Sequence, residues 1–402
     1  MRYERYPTIP LIAHDPYFSI WTAHDRMTDG DTTHWSGLPQ TLRGKLTIDG
    51  QTFRFLGCGE EPPAQQMGLE VQATTTRARF QVGGVQLDLT FASPLLMDDL
   101  NRLSMPITLV RVKLSSVDGA AHQCECNLSV LHDVCSLKQP ASAITGDQFF
   151  VDGALPLAWM GRKQQMPLCH SGDLVTIDWG YAIAAAPAAP YENDGEVARL
   201  SLRVTGQVES AAAIQEDLLL AYDDMVSIQY MGTMCKAWYA RQGKTIVQAI
   251  RETYIQRDEL FHRCATFDEQ MAEAARQVGG DEYARITAIA YRHVVAAHKL
   301  IADDRGNMAF LSKENDSNGC TATVDISYPS SPMFLLYNPE LVKAFLRPIL
   351  RYAASPMWPF EYAPHDIGRY PYATGQAYGL AMTSANVTKG THHGNRAEEM
   401  ET

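Results

Sequence analysis

The sequence predicts a multidomain chain, β first and α second, with a large antiparallel β-sandwich leading. Up to about residue 225, short segments alternate apolar and polar residues between turn signals. Beyond it the period changes, and Thr245 to Val278 is rich in Ala, Glu, Gln and Arg with no proline. A chain of 402 residues also exceeds what one ordinary core organises, so two or more domains are expected.

The β elements follow in order. Leu42 to Phe55 alternates around Asp49-Gly50, a hairpin signal, and Ala78 to Phe91 repeats the pattern around Gly83-Gly84. Ile107 to Leu114, Leu174 to Ala184 and Ala198 to Val204 read as further strands. In the helical part, Gly279-Gly280 breaks the first run and Asp281 can cap the next helix. There Ile286, Ile289, Ala290, His293, Val294, Ala297, Leu300 and Ile301 recur at helical steps, which predicts one buried face with His293 in the core. Asp303 to Gly306 reads as its end. Pro332 can open another helix at its first turn. Asn338 and Pro339 then fit a cap and a first helical position, and Pro348 predicts a kink or break.

Composition narrows the partners. A formal net charge of −12 argues against nucleic acid and anionic membrane surfaces, both of which need a basic face. No run of about 18 apolar residues is present, so no membrane span is expected. The start MRYERYPTIP has no apolar leader segment, which reads as cytoplasmic. Eight cysteines without a CxxC pair read as free thiols.

Two stretches concentrate chemistry-bearing side chains. The segment Ala13 to Trp35 holds His14, Asp15, Tyr17, Trp21, His24, Asp25, Asp29, Asp31, His34 and Trp35. Its spacings match no standard zinc pattern, so an ordered aromatic-rich surface segment is expected, with no metal. Phe310 to Tyr328 packs Lys313, Glu314, Asn315, Asp316, Asn318 and Asp325 around Asn318-Gly319, and Ala363 to Pro371 adds His365, Asp366 and Tyr370. These two read as loops at one mouth of the helical domain.

At Lys313-Glu314-Asn315, Ser317 to Cys320, Val324-Asp325 and Tyr328-Pro329 the chain resembles the fungal and bacterial glutaminase A family. The likeness continues through Asn338 to Leu341, Ala363 to Gly368, Tyr370-Pro371 and Gly375-Gln376. Pro16 to Trp21, His34 to Gly37 and Leu219 to Tyr230 are similar to that family's N-terminal domain and domain junction. Asp316 and Thr374 depart from the pattern. The resemblance implies a β-sandwich at residues 1–225, a helical linker at 226–280, and a partial (α/α) six-hairpin toroid at 281–380. Residues 381–402 match nothing in the family and are expected to be loosely packed. From Asp281 to Leu380 there is room for about four helices, short of a complete six-hairpin ring.

The resemblance also implies hydrolysis of L-glutamine to L-glutamate and ammonia. Glu314, Asp325, His365 and Asp366 are the candidate catalytic groups, since acid–base chemistry uses carboxylates and imidazole. Lys313, Asn315, Asn318, Tyr370 and Gln376 are the candidate substrate contacts. Cys320 reads as a small buried residue. One alternative is a glycoside hydrolase with paired carboxylates and a water. Another is a non-catalytic fragment. The expected partner is a small molecule, glutamine or a glycan, with no cofactor and no metal. Oligomeric state is not legible.

Overall fold

The computed structural model describes residues 5–376. The tail at 381–402 lies outside them. Two antiparallel sheets form the sandwich. The larger has eight strands, in spatial order Ile144–Val151, Leu155–Arg162, Tyr181–Ala185, Ile214–Asp223, Ile107–Ser116, Val85–Ala92, Thr75–Val82 and Gln65–Val71. The smaller has five: Tyr191–Asn193, Ala198–Val208, His122–Leu131, Leu42–Ile48 and Gln51–Leu56. Both expected hairpins form. Asp49 and Gly50 take φ of 49° and 86°, the left-handed conformations that a two-residue hairpin turn needs. One strand starts later than its pattern suggested, at Tyr181, because 172–180 is irregular.

Alternation places Cys124, Cys126, Leu128 and Val130 of the smaller sheet in one core with Val110, Val112 and Leu114 of the larger. The outer face of the larger sheet is covered too. Ile107, Leu109, Leu157 and Leu219 pack under Ile246, Ile250 and Phe261 of the helical region. This double burial explains the nearly unbroken apolar run Leu218 to Tyr222.

The helical region opens at Ile246–Ile255, capped by a reciprocal Thr245–Gln248 pair. A long helix, Arg257–Ala296, follows. Gly280 (φ 79°, ψ −173°) breaks its helical geometry where the glycine pair predicted. The stretch expected to be a purely helical linker differs at its start: Ile228–Tyr230 and Thr233–Cys235 form a small sheet with Tyr372–Ala373.

Five expectations are corrected here. The buried face of the long helix is Ala284, Ala288, Tyr291, Arg292 and Val295, while Ile286 is exposed. His293 is also exposed and sits edge-on to Trp21 at 4.8 Å, rather than in a core. The helix stops at Ala296, and Leu300 and Ile301 belong to a hairpin, His298–Ala302 with Met308–Ser312, so Asp303 to Gly306 turns that hairpin. Its five-residue strands are too short to separate from a buried helix by periodicity. Finally, the next helix begins at Val324, with Pro329 and Pro332 inside it, and Pro339–Ala353 runs through Pro348 as one element. Pro348 lies on the buried face with Leu341, Ala344, Phe345 and Ile349, where packing offsets the missing hydrogen bond. Asn338 caps that helix through Glu340 N, with Pro339 first, as expected.

Buried charges fasten the helices to the sandwich. Asp268 accepts from Thr74 N (2.7 Å), Thr74 Oγ1 (2.8 Å) and Thr75 Oγ1 (2.6 Å). Lys299 Nζ meets Asp15 Oδ2 at 2.6 Å and Asp224 Oδ2 at 2.7 Å. The segment Ala13 to Trp35 is therefore only partly at the surface, where His24, Asp25 and Asp29 are exposed. His14, Asp15, Tyr17, Trp21 and His34 are buried, because Asp15 reaches across to the helical region.

Candidate functional site

Backbone pairing brings the two polar stretches together. Tyr370 N donates to Gly319 O (2.9 Å), Thr321 N to Gly368 O (2.7 Å), Ile367 N to Thr321 O (3.0 Å) and Val324 N to His365 O (3.0 Å). On the other side, Glu314 N donates to Cys320 O (2.8 Å) and Ala322 N to Ser312 O (3.2 Å). The result is a short irregular ladder. The segment 320–322 runs in its middle, between the end of the 308–312 strand and residues 367–370. Glycine is required at 319, where φ is 71° and a Cβ would lie 2.3 Å from the Gly172 carbonyl oxygen of the sandwich.

This ladder sets the ionisable groups side by side. His365 Nδ1 lies 3.1 Å from Asp366 Oδ2, and its Nε2 lies 3.9 Å from Asp325 Oδ1. Asp366 is fully buried and also accepts from Gly368 N (2.7 Å). Asp325 sits in the first turn of Val324–Tyr337 with its side chain 53% exposed, which puts it at the rim. Glu314, 8% exposed, accepts from the Thr323 hydroxyl at 3.2 Å. Burial lowers the affinity of the His365 imidazole for a proton. The Asp366 hydrogen bond and the charges of Asp366, Asp325 and Glu314 outweigh it, so its pKa is raised. Burial, with Asp366 and Glu314 nearby, pushes the Cys320 thiol far above the ordinary thiol range.

The candidate substrate contacts divide differently. Lys313 is buried, with Nζ donating to Asp173 O at 2.7 Å and lying 4.6 Å from the Trp35 ring centre. Burial pulls its pKa down to about 8, against Asp173, Glu314 and Cys320. Asn318 Oδ1 accepts from Cys320 N (2.8 Å), Gln376 Oε1 from His365 N (2.9 Å), and Tyr370 is buried edge-on to Tyr17 at 5.0 Å. These four brace the ladder. Asn315 is exposed at the turn. Sequence reasoning missed Thr323, Asp173 and Trp35 as neighbours of the cluster. A cap at Thr323 was hidden by the prolines that followed it. No local signal joins Asp173 or Trp35 to a loop far along the chain.

Comparison with known proteins agrees with this architecture. Residues 280–389 match the family model described as Glutaminase A six helical-hairpin domain. Residues 74–217 and 3–64 match two domains of unknown function, DUF5127 and DUF4964. Glutaminase A of Aspergillus oryzae is 27% identical over 430 aligned positions, covering 93% of this chain. Over most of its length the chain is similar to the glutaminase A family. A second member, from Arthroderma benhamiae and named "Probable glutaminase", is 23% identical over 92% of this chain. The chain spans 60% of the length of the Aspergillus protein and 50% of the other. A solved structure named for kojibiose phosphorylase, from the human microbiome, covers 91% of this chain and 49% of its own. Its identity is 8% and its TM-score 0.49, too slight to bear on function. No helix among the described residues is long and apolar enough to cross a membrane.

Proposed function

We propose that this glutaminase-like chain hydrolyses the side-chain amide of a small molecule of the glutamine type, with His365 as the proton carrier. The observation that carries this reading is the placement of His365: buried, held at Nδ1 by Asp366, with Nε2 toward the rim carboxylate Asp325 and a pKa raised despite burial. An imidazole so held is the base-and-orienter pair that activates a nucleophile. Amide hydrolysis needs a proton taken from the attacking water and one given to the departing amine. His365 Nε2 can do both in turn. Asp366 steadies the imidazolium formed between the two steps. Glu314, held by Thr323, supplies a second carboxylate on the same side, and Asp325 at the rim meets the substrate's amine or the leaving ammonia. We place residues 1–225 as the sandwich that holds this site and 281–376 as the helical part that carries it.

The purified chain is given glutamine, and ammonia is measured beside the His365→Gln variant. Turnover reduced about a hundred- to ten-thousand-fold in the variant supports the reading. A variant equal to the parent overturns it. So does reducing-sugar release from a glycan with no ammonia from glutamine, because Glu314 and Asp325 then act as the paired carboxylates of a glycoside hydrolase.

A further inference from the structure

Among the described residues, two groups of three side chains combine thiol, imidazole and carboxylate closely enough to share one ion. One is Cys169, His170 and Asp178. The other is Cys320, His365 and Asp366, whose donor atoms all lie within 4.8 Å of one another. They differ in what else touches the carboxylate. Asp178 Oδ2 already carries the Arg162 guanidinium at 2.6 Å, so a cation there meets a fixed positive charge. Around Cys320 the charged groups are Asp366 and Glu314, with Arg369 and Lys313 opposing, and around His365 they are Asp366, Asp325 and Glu314. Three carboxylates thus face two cations there, and the Lys313 ammonium is taken up by the Asp173 and Glu314 carbonyl oxygens.

We propose that Cys320, His365 and Asp366 form a binding site for a divalent transition-metal cation of the zinc type. The three donors suit such an ion by chemistry: thiolate and imidazole select borderline metals over magnesium or calcium. Their backbones are fixed in advance. Asn318 Oδ1 holds Cys320 N, Gln376 Oε1 holds His365 N, and Asp366 Oδ1 is anchored on Gly368 N, which leaves Oδ2 directed at His365. Zinc bonds of about 2.0–2.3 Å set tetrahedral neighbours roughly 3.3–3.6 Å apart. The 3.1 Å between His365 Nδ1 and Asp366 Oδ2 is close to that, and rotation of the Cys320 side chain brings in the sulfur. His365 Nε2 then carries the ring proton and faces Asp325, the outer carboxylate that metal-bound histidines commonly have. Water or Glu314 completes the shell.

The exchange balances. Without the ion, the Asp366 carboxylate accepts hydrogen bonds from His365 Nδ1 and the Cys320 thiol. On binding, the Cys320 S–H bond breaks and its proton leaves to solvent, while the imidazole proton moves from Nδ1 to Nε2 through solvent. One proton is released per ion bound. A loaded His365 has no lone pair left for a proton, so the ion silences the site; that consequence, unlike the binding, rests on the proposed reaction.

The test is titration of the metal-stripped, reduced chain with Co2+, read by the near-ultraviolet charge-transfer band that a thiolate–cobalt bond gives. One equivalent should bind, with the band present in the parent and in Cys169→Ser and absent in Cys320→Ser. Binding of Co2+ should release one proton, and Zn2+ should then displace the cobalt with no further proton released. Because Cys320→Ser could fail to fold, Asp366→Asn is titrated in parallel and should bind about tenfold more weakly or worse. A folded parent with no band overturns the site. So does a band that survives Cys320→Ser or vanishes in Cys169→Ser.

Discussion

The chain has two stretches crowded with histidine, carboxylate and aromatic side chains, and burial acts on their histidines with opposite results. In the N-terminal stretch, His14 Nε2 meets the Thr108 hydroxyl at 2.8 Å, and His34 bridges Ser36 Oγ and Pro16 O at 2.8 and 2.7 Å. Burial drives both pKa values down to about 3; Asp15 opposes this at both, and the Pro16 carbonyl also does at His34. In the site ladder, burial pushes His365 the same way, yet a direct carboxylate partner reverses the sign. His14 has its nearest anion, Asp15, already committed to Lys299. What separates His365 from these two is a carboxylate in contact with its ring and not neutralised by a nearer cation.

The comparison breaks first at Asp366. Asp366→Asn keeps the size and the Gly368 contact but removes the charge, so His365 should titrate below its parent value, with ammonia release down by about a thousandfold. NMR titration of the ring protons reads the first and a coupled ammonia assay the second; an unmoved titration would show that Asp366 does not set the charge of His365. Next comes Glu314→Gln, expected to cost about a hundredfold in turnover with unfolding unchanged. Asp325→Asn, half exposed and screened by solvent, should cost nearer tenfold. Equal losses from the two would show that rim and interior carboxylates are equivalent.

In the other stretch the effects are on stability alone. Asp15→Asn leaves Lys299 buried with Asp224 as its remaining carboxylate, which should cost about 3 kcal/mol in denaturant unfolding. Acid sharpens the contrast most finely. His14 and His34 have lowered folded pKa values, so their stabilisation is complete above about 6.5. It is lost as pH falls toward 3, at up to about 1.4 kcal/mol per pH unit for each. His365, with a raised value, adds stability that is full below 6.5 and fades as pH rises through its folded pKa. Replacing His34 by Asn should flatten the acid limb and leave the neutral limb unchanged in urea midpoints measured across pH.

Much of the fold was legible because its signals are local. Asp49-Gly50 and Gly83-Gly84 mark hairpins, Gly280 a break, and Asn338-Pro339 a helix start, each by conformational preference of the residues themselves. The misreadings share one cause. Leu300 and Ile301 extend a helical period by coincidence, and nothing local shows that Ala297 is the end. Pro348 breaks an isolated helix but is tolerated where its ring fills a core. For the site, the residue types in two polar loops were legible; their pairing through Gly319, Thr321 and Ile367 was not, nor was the burial that turned Lys313, Tyr370 and Gln376 into braces. Asp15 was misplaced at the surface because its partner, Lys299, lies 284 residues further along.

The contact between Gly319 and the Gly172 carbonyl joins the two halves of the molecule through bare main chain. Side-chain interfaces can drift, one residue compensating another over many generations. A main-chain seam cannot, since there is nothing on either side to resize. The loop that carries Glu314 and Cys320 is thus registered to the sandwich by a fixed distance. Chimeras that graft the helical half of one relative onto the sandwich of another should fold only where glycine stands at 319, since a Cβ there would meet the Gly172 carbonyl.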